Sequence, residues 1–130
     1  MYIGRMVVGI GLDLLTVERM RGFRERRGER GLARLFTEAE LRYCLGMADP
    51  APSLAARFAA KEAFFKAVAL GWGAGGDWRD VEVSRGARGA PSLGVSGRAA
   101  EAARSRGARG FHVSLTHTAE TAAAMVVLEG

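Results

Sequence analysis

Apolar and polar residues alternate along this chain with a period that changes from segment to segment. Met6–Leu12, MVVGIGL, is apolar almost throughout and is broken only by glycines, the pattern of a buried strand. From Thr16 to about Arg27, Val17, Met20 and Phe23 fall on one side of a helix whose other face is basic. Thr37–Glu40 is a T-x-x-E capping box and predicts a short helix to about Leu45. A breaker-rich loop, Gly46–Pro52, follows. The longest periodic stretch is Arg57–Gly71, RFAAKEAFFKAVALG, a helix. At about 100° per residue, Leu54, Phe58, Phe65 and Ala69 share one stripe. Ser53 is expected to cap its start and Gly71 to close its end.

The second half reads as short strands and one helix. Gly71–Asp77, GWGAGGD, is a glycine-rich connector, or a loop that lines a ligand with backbone N–H groups. It lacks the lysine and hydroxyl of a P-loop. Val81–Ser84 and Ser92–Val95 form a hairpin around Arg85–Pro91. Gly97–Arg106 is an alanine-rich helix stopped by Gly107. In Phe111–Thr116, Phe111, Val113 and Leu115 alternate with polar residues, and Ala122–Leu128 is a final apolar strand. The turn between them holds His117 and Thr118. Strands at both ends with helices between predict an α+β fold, with a long central helix packed on an antiparallel sheet.

Composition narrows the class. At 130 residues and 48% apolar content, the chain is expected to be a single compact domain, 1–130, with a proper core. The single cysteine, Cys44, excludes an internal disulfide and a multi-cysteine zinc site. No charged-then-apolar leader opens the chain, and no apolar run is long enough to span a bilayer. The expectation is a soluble, cytoplasmic protein with no membrane partner. A formal charge of +5 favours an acidic partner or an anionic substrate. Seven arginines lie between Arg19 and Arg34 against Glu25 and Glu29. They form a solvated face, or a docking surface for an acidic protein or for nucleic acid.

Chemistry concentrates on the long helix. Glu62 falls in the middle of its apolar stripe. A carboxylate among phenylalanines is costly unless something positive meets it. Lys66, one turn on, is near enough to help, and a metal ion would satisfy it better. The chain has 17 arginines but only two lysines, Lys61 and Lys66, both here. A compact ammonium on a flexible stem meets a phosphate as a point charge or moves a proton. Alternatively the helix is solvated and carries an ordinary Glu–Lys pair. Asp13 ends the first strand beside Gly9 and Gly11, glycines that admit another backbone or a ligand. It is either a metal ligand or a helix N-cap.

Three stretches, GIGLDLLTVER at Gly9–Arg19, RFAAKEAFFKAVALG at Arg57–Gly71 and HVSLTHT at His112–Thr118, lie in an order and spacing that resemble the 4′-phosphopantetheinyl transferases. The resemblance is to their short, single-domain type, the holo-acyl-carrier-protein synthases, and covers nearly the whole chain. It implies transfer of the phosphopantetheine arm of coenzyme A to a serine of an apo acyl carrier protein, releasing adenosine 3′,5′-bisphosphate. It also implies Mg²⁺ as cofactor, a place in fatty acid biosynthesis, and a homotrimer with coenzyme A in the cleft between subunits. By motif position, Asp13 and Glu62 would be metal ligands, and with Lys66 the catalytic residues. Lys66 would contact the pyrophosphate. Arg57, Lys61, Gly71, Pro91, Thr116 and His117 would serve the rest of the coenzyme. Arg19, Phe23 and Arg26 would belong to the carrier-protein surface.

The residues agree with that chemistry. Mg²⁺ takes hard oxygen ligands, usually one or two carboxylates with phosphate oxygens and water. Displacement at phosphorus needs its oxygens neutralised. The serine proton can pass to a metal-held water, to Glu62 or to Asp13. His117 either pairs with a phosphate when protonated or satisfies a turn carbonyl. The chain departs from the family pattern in Met1–Arg5 ahead of the first motif, in the arginine- and glycine-rich Arg21–Arg34, and at Gly89–Leu93, where only Pro91 is recognisable. A basic nucleic-acid-binding module is the alternative drawn from charge alone. It leaves Asp13, Glu62 and Lys66 without a role. A related transferase serving a specialised synthase would share the same residues.

Overall fold

The structure, a computed structural model, describes residues 5–130; residues 1–4 of the N-terminal extension lie outside the described residues. Strand β1 (Val7–Thr16) leads into α1 (Val17–Leu35), α2 (Glu38–Leu45) and α3 (Ala51–Val68). A 3₁₀ turn over Trp78–Asp80 precedes β2 (Val81–Arg85) and β3 (Pro91–Val95). Helix α4 (Gly97–Ser105) and strands β4 (Gly110–His117) and β5 (Thr121–Glu129) complete the chain. The strands form an antiparallel three-stranded sheet in the order β1-β5-β4 and a separate two-stranded hairpin, β2-β3. The expected α+β architecture, a central helix on an antiparallel sheet, is what the chain adopts.

Side-chain size sets how closely α3 lies on that sheet. On β5, Ala122, Ala124, Val126 and Leu128 turn inward and are buried. A Cβ on Gly9 would collide with the carbonyl of Ala67, and one on Gly11 with the carbonyl of Ala63. These two glycines admit another backbone, that of α3. The helix is enclosed on nearly every side, not along one stripe. Ala55, Ala59, Ala60, Ala63 and Phe64 are wholly buried. The hairpin covers part of it, since Val83 packs with Ala59, Ala60 and Ala124.

Several element boundaries differ from the sequence reading, each for a local reason. Strand β1 does not stop at Leu12. Its alternation continues, with Gly11, Asp13 and Leu15 inward and Ile10, Leu12 and Leu14 outward, and pairing runs on to Thr16 opposite Thr121. Asp13 is therefore mid-strand and caps nothing. Thr16 caps α1, its hydroxyl accepting from the N–H of Arg19 at 3.2 Å. Helix α1 runs past Arg27 to Leu35, interrupted at Gly28, whose φ of 61° and ψ of −156° break the helical path. Buried Leu32 and Phe36 bring the chain back to the core beyond that break. Helix α3 starts earlier than expected, after Pro50, with no side-chain cap. Ser53 lies inside it and accepts from Nη1 of Arg57 at 2.9 Å. Its end is closed by Ala69 in the left-handed conformation at φ 60°, not by Gly71. The capping box forms as expected between Thr37 and Glu40. No helix among the described residues is long and apolar enough to cross a membrane.

Candidate active site

The close approach of β1 and α3 creates the site. Gly9 lies against Ala67 and Gly11 against Ala63, so strand and helix run in opposite directions. Two strand residues span about 6.8 Å and four helical residues about 6 Å, and the two elements stay in step. The next inward position of the strand is Asp13, which the side chain of Lys66 reaches from α3. Nζ of Lys66 donates to Oδ1 of Asp13 at 2.9 Å and to the carbonyl of Leu12 at 3.0 Å. Asp13 is 8% exposed, and its Oδ2 is buried without a hydrogen-bond partner.

The electrostatics of the three groups are coupled. Burial, and then the negative charge of Asp13, push the half-buried Glu62 carboxyl above the ordinary glutamate range, against the pull of Arg19 and Lys66. The hydrogen bond to Asp13 raises Lys66, which stays a cation. A buried, unpartnered carboxylate oxygen beside a second carboxylate is a vacancy in hydrogen bonding that a hard cation fits. No cluster of three or more His, Cys, Asp or Glu exists among the described residues. A cation held by Asp13 and Glu62 therefore takes its other ligands from water or from a phosphate, which is the habit of Mg²⁺.

A groove runs past Glu62 on both sides. On one side Glu62 and Lys66 share a hollow with Phe65, Gly71, Trp72 and Trp78. On the other, Glu62 shares an apolar hollow with Leu15, Arg19, Phe23, Leu35 and Phe58. Aromatic contacts stiffen its wall. Trp78 lies 4.9 Å from Phe58 and 5.3 Å from Phe65 between ring centroids, and Trp72 stacks on Trp78 at 6.1 Å. Sequence reasoning missed both tryptophans, because the glycine-rich segment around Trp72 reads through its backbone, as a connector or a loop that lines a ligand with N–H groups.

Other expected site residues stand apart. Lys61 is a correction: it is wholly buried. Its ammonium donates to Oε1 of Glu40 at 2.8 Å and to the carbonyls of Trp78 and Val81. An ammonium has three hydrogens, so none remains for a phosphate. Arg57 is 2% exposed, its guanidinium 4.3 Å over the Tyr43 ring, with Nε unpartnered. Pro91 begins β3, opposite Arg85. Thr116 and His117 end β4, both exposed. The inward partners of the shared register are Asp13, Ala124 and Leu115, so Thr116 points to the opposite face of the sheet. Within one subunit Thr116 is not brought to Glu62. Arg19 and Arg26 are exposed on α1, and Phe23 is half-buried in the groove wall.

Paired carboxylates, a lysine bound to one of them and an aromatic groove, all on one α+β domain, define a small enzyme built to handle a phosphate-bearing substrate. The family profile of the 4′-phosphopantetheinyl transferase superfamily matches residues 9–123, and the chain belongs to that family. It is 48% identical over 128 residues to the holo-[acyl-carrier-protein] synthase of Anaeromyxobacter sp. (strain K), covering 96% of this chain and 98% of that one. The crystal structure of the Neisseria meningitidis holo-[acyl-carrier-protein] synthase superposes with a TM-score of 0.87 at 30% identity, over 96% of this chain and all of the other. The Bacillus anthracis enzyme, solved in complex with CoA (3′,5′-ADP), superposes at 0.79 with 35% identity, over 96% and 98% of the two chains. The nucleic-acid-binding alternative gains no support.

Proposed function

We propose that the protein transfers the 4′-phosphopantetheine arm of coenzyme A to a serine of an apo acyl carrier protein, with Mg²⁺ held by Asp13 and Glu62. The observation that carries this reading is the unpartnered Oδ2 of Asp13 beside Glu62, with Lys66 on the other oxygen. When bound, Mg²⁺ supplies positive charge to the phosphate oxygens as the bridging bond breaks. Lys66 keeps its proton and contacts the same pyrophosphate, anchored through Asp13 and Leu12. The serine oxygen forms a new bond to phosphorus, and adenosine 3′,5′-bisphosphate leaves with the bridging oxygen. The serine proton passes to water or to a carboxylate of the pair.

Coenzyme contacts beyond the pyrophosphate are assigned to Arg57, Gly71 and Pro91, and to Thr116 and His117 of a neighbouring subunit. The assembly is a homotrimer with its active sites between subunits. Two features support it: Thr116 on the far face of the sheet, and the exposed apolar row of Ile10, Leu12 and Leu14 on that same face. Arg19, Phe23 and Arg26 form the docking surface for the acidic carrier, in keeping with the charge of α1. The setting is cytoplasmic fatty acid biosynthesis.

The test is the intact mass of an apo acyl carrier protein after incubation with this protein, coenzyme A and Mg²⁺. One added phosphopantetheine that disappears with a chelator is expected. No gain with several apo carriers points to a specialised carrier, and no gain together with no binding of coenzyme A refutes the assignment.

A further inference from the structure

A cavity of about 650 Å³ lies apart from the hollow that holds Glu62 and Lys66. It lies between the C-terminal half of α1 and the tryptophan-bearing turn. Arg27, Arg30, Arg34, Arg79, Trp72 and Trp78 dominate its lining, and Asp77 is the one carboxylate there. Among the described residues none of these arginines has an ion pair or a side-chain hydrogen bond. These four guanidiniums are exposed, so water screens their repulsion, and together they give the recess a positive potential that attracts an anion.

Two features tie the cavity to the reaction. Trp72 and Trp78 wall both it and the hollow of Glu62 and Lys66. Phe23 and Leu35 are likewise shared with the apolar hollow on the other side of Glu62. A flexible arm leaving the phosphorus therefore has continuous apolar and aromatic surface leading into the recess. The wall is held from behind, because Lys61 grips the carbonyls of Trp78 and Val81 from within the core.

The arm of coenzyme A is neutral beyond its phosphates and ends in a thiol. It offers nothing to four guanidiniums. An acyl group on that thiol offers a carboxylate if it ends in one, and guanidinium binds carboxylate in a bidentate fork. We propose that this cavity is an anion subsite selecting coenzyme A thioesters whose acyl group ends in a carboxylate. The inference rests on reading Glu62 and Lys66 as the phosphoryl-transfer site. The displacement is unchanged: the serine oxygen joins phosphorus, adenosine 3′,5′-bisphosphate leaves, and the thioester travels intact on the arm. An acidic side chain of the carrier protein is the rival occupant. The shared walls with the Glu62 groove favour the substrate's own arm.

The test compares kcat/KM for malonyl-CoA against propionyl-CoA and for succinyl-CoA against butyryl-CoA, with plain coenzyme A alongside. Each pair differs by a terminal carboxylate in place of a methyl group. Products are read as acylated carrier by intact mass. The carboxylate member of at least one pair is expected to be used about tenfold better, the size of one charge-assisted hydrogen bond. Arg30→Gln/Arg34→Gln, on an exposed helix face, should reduce that ratio toward one, and so should Arg79→Gln from a different element. Equal use within both pairs overturns the proposal, as does a preference that all the variants retain. If the arginines serve the carrier instead, the variants raise KM for the carrier with every coenzyme form and leave the ratio unchanged, which also overturns it. No transfer even from plain coenzyme A fails the underlying transferase reading, and the subsite with it.

Discussion

Nζ of Lys61 lies 2.8 Å from Oε1 of Glu40, and neither side chain reaches solvent. Glu40 also accepts from the N–H groups of Thr37 at 2.9 Å and Val83 at 2.8 Å. Lys61 adds the carbonyls of Trp78 and Val81. One buried pair thus ties α2, α3, the 3₁₀ turn and β2 together. Burial pushes the Lys61 ammonium below its usual range, and Glu40 opposes that shift.

Removing one member of such a pair strands the other's charge. Lys61→Met is expected to cost about 3–5 kcal/mol of folding free energy. Lys61→Met/Glu40→Gln should regain a part, because no charge is left stranded; the amide oxygen accepts from one of the two N–H groups that Glu40 serves, and the other faces the amide NH2. Urea unfolding of the three proteins at equal concentration reads this out. A cost for the single variant below about 1 kcal/mol, the range of an exposed pair, would show that the pair is not what holds these elements.

The carboxylate pair makes a separate prediction about the metal. Excess Mg²⁺ should raise the thermal midpoint of the wild type, since a ligand at a hundred times its Kd contributes about 2.7 kcal/mol. Asp13→Asn and Glu62→Gln should lose that shift and lose transfer. Both should remain folded in chelator, where removing one of two like charges relieves repulsion. Differential scanning fluorimetry with and without Mg²⁺ is sufficient. A variant that kept the Mg²⁺ shift and near-normal turnover would remove its residue from the metal site.

The raised carboxyl of Glu62 fixes the sign of a pH effect. In the metal-free protein this group binds a proton more readily than it does when unfolded. Its protonation therefore contributes stability at acid pH that is lost as pH rises through the raised value. Mg²⁺ binding must expel that proton, so affinity should weaken on mild acidification and binding should release protons. Calorimetric titration in two buffers of different ionisation enthalpy measures the release. Proton uptake, or tighter binding at acid pH, contradicts the assignment.

Much of this site is legible in the sequence, because its groups break an otherwise apolar pattern. Glu62 sits between Phe58 and Phe65, and Lys66 is one of two lysines. Asp13 shows itself as an acid in a run of leucines, but the same interruption hides the length of β1, since an inward acid looks like the end of a strand. The enclosure of α3 is also hidden. Alanine at Ala59, Ala60 and Ala63 carries little hydrophobic signal, yet small side chains are what allow the sheet and hairpin to close on the helix. Lys61 reads as a coenzyme-binding cation because its partner, Glu40, lies 21 residues earlier and already has a role in a capping box. Thr116 and His117 belong to a motif whose meaning a single subunit does not contain.

The exposed row on β1 supplies the test of assembly. Ile10, Leu12 and Leu14 are 60%, 55% and 67% exposed, and Leu12 lies opposite Met125 on β5. A trimer that buries this face should dissociate on Leu12→Glu, because an unpaired charge would enter an apolar interface. Sedimentation velocity should show a trimer for the wild type and monomer for the variant, with transfer activity falling in parallel. A fully active wild-type monomer at micromolar concentration would end the shared-site reading.

Backbone geometry places different constraints on Gly11, Ala69 and Gly71. Gly11 faces the carbonyl of Ala63 with no room for a Cβ. Gly11→Ala must push β1 away from α3 along the contact that sets Asp13 against Glu62 and Lys66. Overpacking of this kind costs about 1–3 kcal/mol, and here transfer activity should fall with it, since the displaced strand carries a proposed metal ligand. Gly71 has nothing within 4 Å of a Cβ and no positive φ. Gly71→Ala should therefore leave stability within about 0.5 kcal/mol of the wild type. Ala69 is the residue that adopts the left-handed conformation, at φ 60°. Left-handed backbone costs a non-glycine residue about 1–2 kcal/mol, offset in part by the larger unfolded-state entropy of glycine. Ala69→Gly should then stabilise the protein by about 0.5–1 kcal/mol. Urea midpoints of the three variants at one protein concentration give the order Ala69→Gly, Gly71→Ala, Gly11→Ala from most to least stable. A Gly71→Ala variant as damaged as Gly11→Ala would return the helix cap to Gly71.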